Sequence, residues 1–404
     1  MEFNAADTVW VIMASAMVFL MTPAGLSFFY GGLASRRSVL NTVGMSYVSM
    51  CVATLAWVFL GYSLAFEDSG SAIVGQFKFF LSNVGFEENT GTIPKMLFVL
   101  FQGVFAAIAV AIISGSIIER IKFSTWIIFS FLWIILVYSP LVYWIWGSGF
   151  LSNSGELDFA GGTVIHVNAG VAGLVLSLVL GRRSLAKNTN KASSIKLTVL
   201  GAALLWFGWF GFNAGSELAV DRITVNAFMV TNVAACMGGL GWMLIEWIKQ
   251  KKLSILGLIS GVVAALVGIT PASGYVDIYG ALIIGFTSGL IGYSGVNALK
   301  PLLGYDDSLD AFGIHGLVGI WGTIATGLFA SPVINEAAGV FYGNPGQIWP
   351  QLKSLGVTIL FSTVGTLVVY FISAALTKGG KVDHLTRMRG VDVKLHDENA
   401  FDYE

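Results

Sequence analysis

Apolar runs of about 20 residues recur along this chain, and a run of that length spans the hydrocarbon core of a bilayer as an α-helix. They lie at about residues 9–31, 41–66, 94–118, 123–147, 160–181, 196–218, 224–248, 254–273, 277–298, 307–331 and 351–377. Eleven such runs predict an all-α polytopic membrane protein. Of the 404 residues 55% are hydrophobic and only 11% charged, a balance that excludes an ordinary soluble domain. A net charge of −1 offers no basic surface for nucleic acid. Cys51 and Cys236 both fall in apolar runs and read as reduced packing residues, without a disulfide framework or a metal site. The start, Met1 to Asp7, is acidic where a signal peptide would be basic, so no signal peptide is evident: either it is absent or the numbering starts after its cleavage.

An odd number of spans puts the termini on opposite sides, and the basic residues choose which. Arg36, Arg37, Arg120, Lys122, the stretch Arg182 to Lys196, Lys249 to Lys252, Lys300 and the stretch Lys378 to Lys394 share one side. Only Lys78, Lys95, Arg222 and Lys353 share the other. The positive-inside rule then places the N-terminus outside and residues 378–404 in the cytoplasm. The first five spans start outside and the next five inside. Residues 9–181 and 196–331 therefore read as inverted repeats of five helices, with 351–377 as an extra helix.

Two histidines lie inside these spans. An ionisable side chain in hydrocarbon is expensive and marks a substrate path or a proton relay by default; the bland alternative is a satisfied packing residue. The repeat decides between them. His166, Gly170 and Gly173 match His315, Gly319 and Gly322 in spacing, and small residues at that spacing let helix backbones approach. Each histidine is about eight residues into its span from opposite faces, or roughly 12 Å deep, so the two lie at similar heights in a core of about 30 Å. Asp158 precedes His166 by eight residues, about 12 Å along a helix, too far to contact it. It is expected to cap the amides of Phe159 to Gly161 and to place a fixed negative charge at the outer mouth.

The segment Asp158-Phe-Ala-Gly-Gly-Thr-Val-Ile-His166-Val-Asn168-Ala resembles the signature of ammonium transporters, and Phe312-Gly-Ile-His315-Gly the second half of their twin-histidine pair. Phe28-Phe-Tyr30-Gly31-Gly32 and Gly208-Trp209-Phe210-Gly211-Phe212-Asn213-Ala214-Gly215-Ser216 extend the likeness to essentially the whole chain. The resemblance is to the Amt/MEP/Rh superfamily. It implies a homotrimer with one pore per subunit, in the plasma membrane, which in a bacterium is the inner membrane. Carried over by motif, Phe105 and Phe212 form an aromatic gate, while Trp146, Ser216 and Phe105 form an external ammonium recruitment site. A ring face attracts a small cation and a hydroxyl oxygen accepts an N–H bond, which suits those roles. Read alone, such residues are ordinary: Trp144 is a belt residue and Phe101 packs.

The resemblance implies ammonium uptake. An apolar pore penalises ammonium more than ammonia, so the ion is expected to lose a proton near the gate. His166 and His315 would act as proton relay and selectivity element, with electrogenic transport of ammonia plus a proton as the leading expectation. An ammonium sensor working through a partner, or an Rh-like neutral gas channel, are the alternatives. No nucleophile with its base, phosphate loop or metal cluster points to an enzyme, and no cofactor is expected. Residues 378–404 carry eleven charged side chains and read as a cytoplasmic regulatory tail. Arg389 to Phe401 resembles the family's tail, with Asp397 where Gly is usual and Phe401 where Tyr is frequent. A PII-type regulatory protein is a partner by family analogy. His384 and His396 lack metal-ligand spacing.

Overall fold

The computed structural model describes residues 3–183 and 191–401. Part of the basic stretch Arg182 to Lys196 lies outside the described residues, as do Met1, Glu2 and the last three residues. Among the described residues ten helices are long and apolar enough to cross a membrane: α1 Ala5–Leu33, α2 Val39–Phe66, α3 Lys95–Ile117, α4 Phe123–Ile145, α5 Gly162–Leu180, α6 Ile195–Gly215, α7 Arg222–Gln250, α9 Ile278–Leu303, α10 Phe312–Phe329 and α11 Pro345–Leu376. Between α7 and α9 lies α8, Ile255–Ile269, apolar but only 15 residues long. The run expected at 254–273 is therefore part helix and part turn. Pro271 has no amide to donate and disfavours helix at the residue before it, so the chain leaves the helix there.

The helix starts follow from short polar side chains. Asn4, Ser194, Asp221, Ser254 and Asp277 each accept from a backbone amide one turn on and cap α1, α6, α7, α8 and α9. Hydroxyls inside the spans bond back to the preceding turn, as Thr270 Oγ1 does to Leu266 O at 2.7 Å and Thr231 Oγ1 to Ala227 O at 2.6 Å. These bonds let polar residues sit in an apolar environment with their donors satisfied.

Wide π-helical turns interrupt the regular helices at Met21–Leu26, Trp57–Gly61, Ile134–Tyr138, Gly162–Val167, Gly295–Leu299 and Phe312–Leu317. Each inserts extra chain into one turn and re-aims the side chains beyond it. Two of them carry His166 and His315. The helices bearing them, α5 and α10, cross at contact distance. A Cβ on Gly170 would collide with the backbone of Gly316, and one on Gly319 would stand 3.1 Å from Val167 Cγ2 and 3.2 Å from His166 Cβ. Any larger residue at Gly170 would hold the helices, and so the histidines, apart.

Two short helices end the described chain, α12 His384–Arg389 and α13 Val391–His396. They fold back on the first turn of α2 and the loop before it. Asp392 accepts from Leu40 N at 3.0 Å and Asn41 N at 2.8 Å, Arg37 Nη1 donates to Met388 O at 3.0 Å, and His396 Nε2 lies 3.0 Å from Asn41 Oδ1. Asp397 takes φ 55°, a left-handed conformation that glycine adopts freely and Asp tolerates better than most residues. The two free cysteines are exposed on the helix surface, not packed in the core, because both project from faces of α2 and α7 that no neighbouring helix covers.

Candidate functional site

The site begins at a cavity of about 350 Å³ lined by Phe105, Trp146, Asp158, Ser216, Glu217 and Tyr275, among others. Trp146 Nε1 donates to Asp158 O at 2.7 Å, which holds the indole by its edge. Ser216 Oγ donates to Phe212 O at 2.8 Å. With its one proton committed to its own helix, that hydroxyl has only lone pairs to offer the cavity, the polarity a cation needs. Phe105 stands 6.4 Å from Trp146 and 4.5 Å from Phe212 between ring centroids, edge to face in both cases.

Below these rings the side chains are buried. Phe212 is fully buried and stacks on His166 at 5.8 Å, with Trp209 stacked on the same imidazole at 5.5 Å. Trp209, Phe212 and Ser216 share one face of α6, so that face follows the path from mouth to centre. His166 Nδ1 lies 3.2 Å from His315 Nδ1. Two neutral imidazoles meeting this way share one hydrogen: one Nδ1 donates and the other accepts, which fixes opposite tautomers. The Nε2 of one ring is then an acceptor and that of the other a donor. His166 Nε2 is buried and has no protein partner among the described residues.

Asp158 behaves as a cap, one turn later than expected. Its Oδ1 accepts from Gly161 N and Gly162 N at 3.1 and 2.6 Å, and its Oδ2 from Thr163 N and Val164 N at 2.9 and 3.1 Å. The shift arises because Gly161, at φ 108°, turns the chain so that α5 starts at Gly162. Beside it the carboxyl oxygens of Glu156 are buried, although the rest of that residue is partly exposed. Burial, with Asp158 alongside, pushes the Glu156 carboxyl up to about 8. Burial also raises Asp158, to about 6, against the pull of its amide donors.

At the other end, a second cavity of about 150 Å³ is lined by Phe29, Glu246, Ser260, Asn297, Asp310 and Ile314, among others. Asp307 precedes His315 by eight residues, as Asp158 precedes His166, and its Oδ2 accepts from Phe312 N at 2.7 Å. Asp310 pairs with Lys300 at 2.6 Å.

The structure thus gathers Phe105, Trp146, Ser216, Phe212, His166 and His315 along one path. Sequence reasoning missed Trp209 although it stood inside a quoted motif, where the helical period from Phe212 points to it. It also missed Glu156, Glu217, Tyr275 and Asp307. Only Asp307 carried a signal, its eight-residue spacing in the second half.

A chain of ring contacts running from a cavity lined by Trp146 and Ser216 to two facing imidazoles inside membrane-spanning helices is an arrangement suited to a transport protein. Residues 9–401 match the model of the Ammonium Transporter Family. The chain is 44% identical to an ammonium transporter of Aquifex aeolicus, over 99% of this chain and 94% of that one, and 44% identical to one of Bacillus subtilis, over 98% of each. Among solved structures it is similar to Mep2 of Saccharomyces cerevisiae, with TM-score 0.88, 33% identity and coverage of 95% of this chain and 89% of that one. It is also similar to a protein named Sensor Amt Protein, with TM-score 0.89, 27% identity and coverage of 97% and 98%. The chain belongs to the ammonium transporter family, and it is a multi-pass membrane protein.

Proposed function

We propose that the chain takes up ammonium electrogenically, as ammonia and a proton moving by one path. The observation that carries this reading is the Nδ1–Nδ1 contact of His166 and His315 beneath a phenylalanine pair in an otherwise apolar passage. Ammonium meets the faces of Trp146 and Phe105 and the lone pairs of Ser216. Passing Phe105 and Phe212 strips it of water, and desolvation favours loss of a proton. Neutral ammonia then finds an acceptor and a donor on the two Nε2 atoms, which an alkali cation cannot use. The relayed proton travels over the same imidazoles by exchange of tautomers. An uncharged conduit has no evident need for two titratable rings.

The wider architecture belongs to the same proposal. Residues 1–377 form the transport domain, with α8 and its following turn as an eleventh, short crossing, the N-terminus outside and the tail inside. The pairing of π-helical turns in α4 with α9 and in α5 with α10 supports the inverted repeat. A homotrimer is supported by Asn232, which is exposed about 15 Å along α7, near mid-bilayer, where a bare amide facing lipid is costly. A neighbouring subunit on that face would cover it. The docked tail, 378–404, is read as a regulatory element open to a PII-type protein.

Transient current from the purified protein in proteoliposomes tests the transport reading. An ammonium jump should give a saturating current, a potassium jump none, and His166→Ala or His315→Ala should abolish the ammonium current. Unchanged current in either variant, with potassium still excluded, would overturn the relay. Internal alkalinisation without current would instead mean neutral gas conduction. The likeness to Sensor Amt Protein favours one second reading, an ammonium sensor acting through a partner; binding of ammonium without current or alkalinisation would select it.

A further inference from the structure

Glu217 follows Ser216 directly, in the link between α6 and α7. That link is held along its length. Trp10 Nε1 donates to Ala214 O at 3.3 Å, Leu218 N to Gly215 O at 3.0 Å, Val220 N to Asp7 Oδ1 at 2.8 Å and Thr224 N to Asp221 Oδ1 at 3.0 Å. Leu218 sits at φ 60°, a left-handed conformation that a non-glycine residue keeps only where its surroundings over-determine it. Glu217 thus stands on a held backbone and lines the same 350 Å³ cavity as Phe105, Trp146, Ser216 and Tyr275.

Its neighbours give it no cation. It is in hydrogen-bonding contact with the Asp221 carboxyl at the start of α7. Asp7 of α1 holds the link, Asp158 and Glu156 precede α5, and Tyr275 follows α8 and feels the charge of Asp158, Glu217 and Glu156. Among the described residues no Lys or Arg lines this cavity. Arg222, next to Asp221, is exposed. Two carboxyls in contact without a basic partner either share a proton or attract a cation.

We propose that the Glu217 carboxylate is a further ligand of the incoming ammonium ion, supplying the ionic contact that ring faces and a hydroxyl lack, so that protons compete with ammonium for this mouth. The proposal rests on the reading of the outer cavity as the place where ammonium is recruited. Burial, with Asp221 beside it, pushes the Glu217 carboxyl up to about 7. Above that pH the group is ionised and holds the cation; below it, a proton takes its place. Competition of this kind acts on KM and leaves the maximal rate alone.

The test uses the full chain in proteoliposomes at fixed internal pH, with apparent KM for ammonium read from initial current between about pH 5.5 and about pH 8.5. Wild-type KM should rise several-fold toward the acid end. Glu217→Gln should raise KM at the alkaline end by about five-fold, the scale of a partly exposed ionic contact, and remove the pH dependence. Glu217→Asp, which restores the charge, should restore the slope. A wild-type KM indifferent to pH overturns the proposal, as does a Glu217→Gln profile that overlays wild type. If Glu217→Gln changes nothing while Trp146→Ala raises KM, only the role of Glu217 falls. If neither variant moves KM, the recruitment reading falls with it.

Discussion

In the proposed orientation, the outer mouth of α5 and the inner mouth of α10 are built from matching parts and charged differently. Each begins with an aspartate eight residues before its histidine. Outside, Asp158 satisfies four backbone amides and stands with Glu156 and Glu217, with no basic side chain on the cavity wall among the described residues. Inside, Asp307 accepts from one amide, Glu246 accepts from Ser254 N at 3.0 Å, Asp310 is paired with Lys300, and Asp306 forms a salt bridge with Arg183 at 2.8 Å, so two of the four carboxylates have a basic partner. A surplus of carboxylate attracts cations, and a compensated mouth does not hold them. In the proposed orientation this difference would bias the scaffold toward capture outside and release inside.

Removing the two matching aspartates should separate their loads most clearly. Asp158→Ala leaves four buried amides without an acceptor, and an unsatisfied buried group costs about 1–3 kcal/mol. Asp307→Ala exposes that penalty for one amide. Thermal unfolding in detergent should therefore show a much larger fall in Tm for the first; equal falls would break the comparison.

A middle-sized effect concerns Glu156. Its pKa is higher folded than unfolded, so between about 4.5 and about 8 the folded chain binds more protons, and stability falls as pH rises through that window. The midpoint temperature should decline from acid to alkaline pH in the wild type and decline less in Glu156→Gln. An identical slope in the two proteins would remove Glu156 from the outer mouth's electrostatics.

The smallest effect belongs to the inner mouth. Lys300→Ala leaves Asp310 uncompensated in the cavity below His315, which should slow release and lower the maximal ammonium current by about two-fold, the scale of a partly exposed pair. Its KM should stay near wild type. A change in KM instead would mean that the inner mouth also governs capture.

Much of the fold was legible because a bilayer imposes one length scale on every span. The run at 254–273 was only partly legible, because composition stays apolar past Pro271 while the helix ends at Ile269. The candidate site was legible where it repeats: His166 and His315 stand out because an ionisable residue in hydrocarbon is rare and two at matched spacing are rarer. Glu217 and Glu156 were not, because an acidic residue in an outer loop looks the same whether solvated or turned into a cavity. Asp397 was read from its position in a motif, and its left-handed backbone explains how it stands where glycine is usual.

By itself, the order of residues determined that the chain crosses a membrane many times and that two of its apolar runs each bring one histidine followed by glycines at the same spacing. Apolar length and small-residue spacing are local properties, written in one helix at a time. Only the tertiary structure decided that the imidazoles face each other at 3.2 Å, that Asp158 spends its charge on backbone amides, and that Glu217 lines the mouth. Those outcomes depend on π-helical turns that re-aim side chains and on Gly170 meeting Gly316, contacts between segments about 150 residues apart that no local pattern encodes.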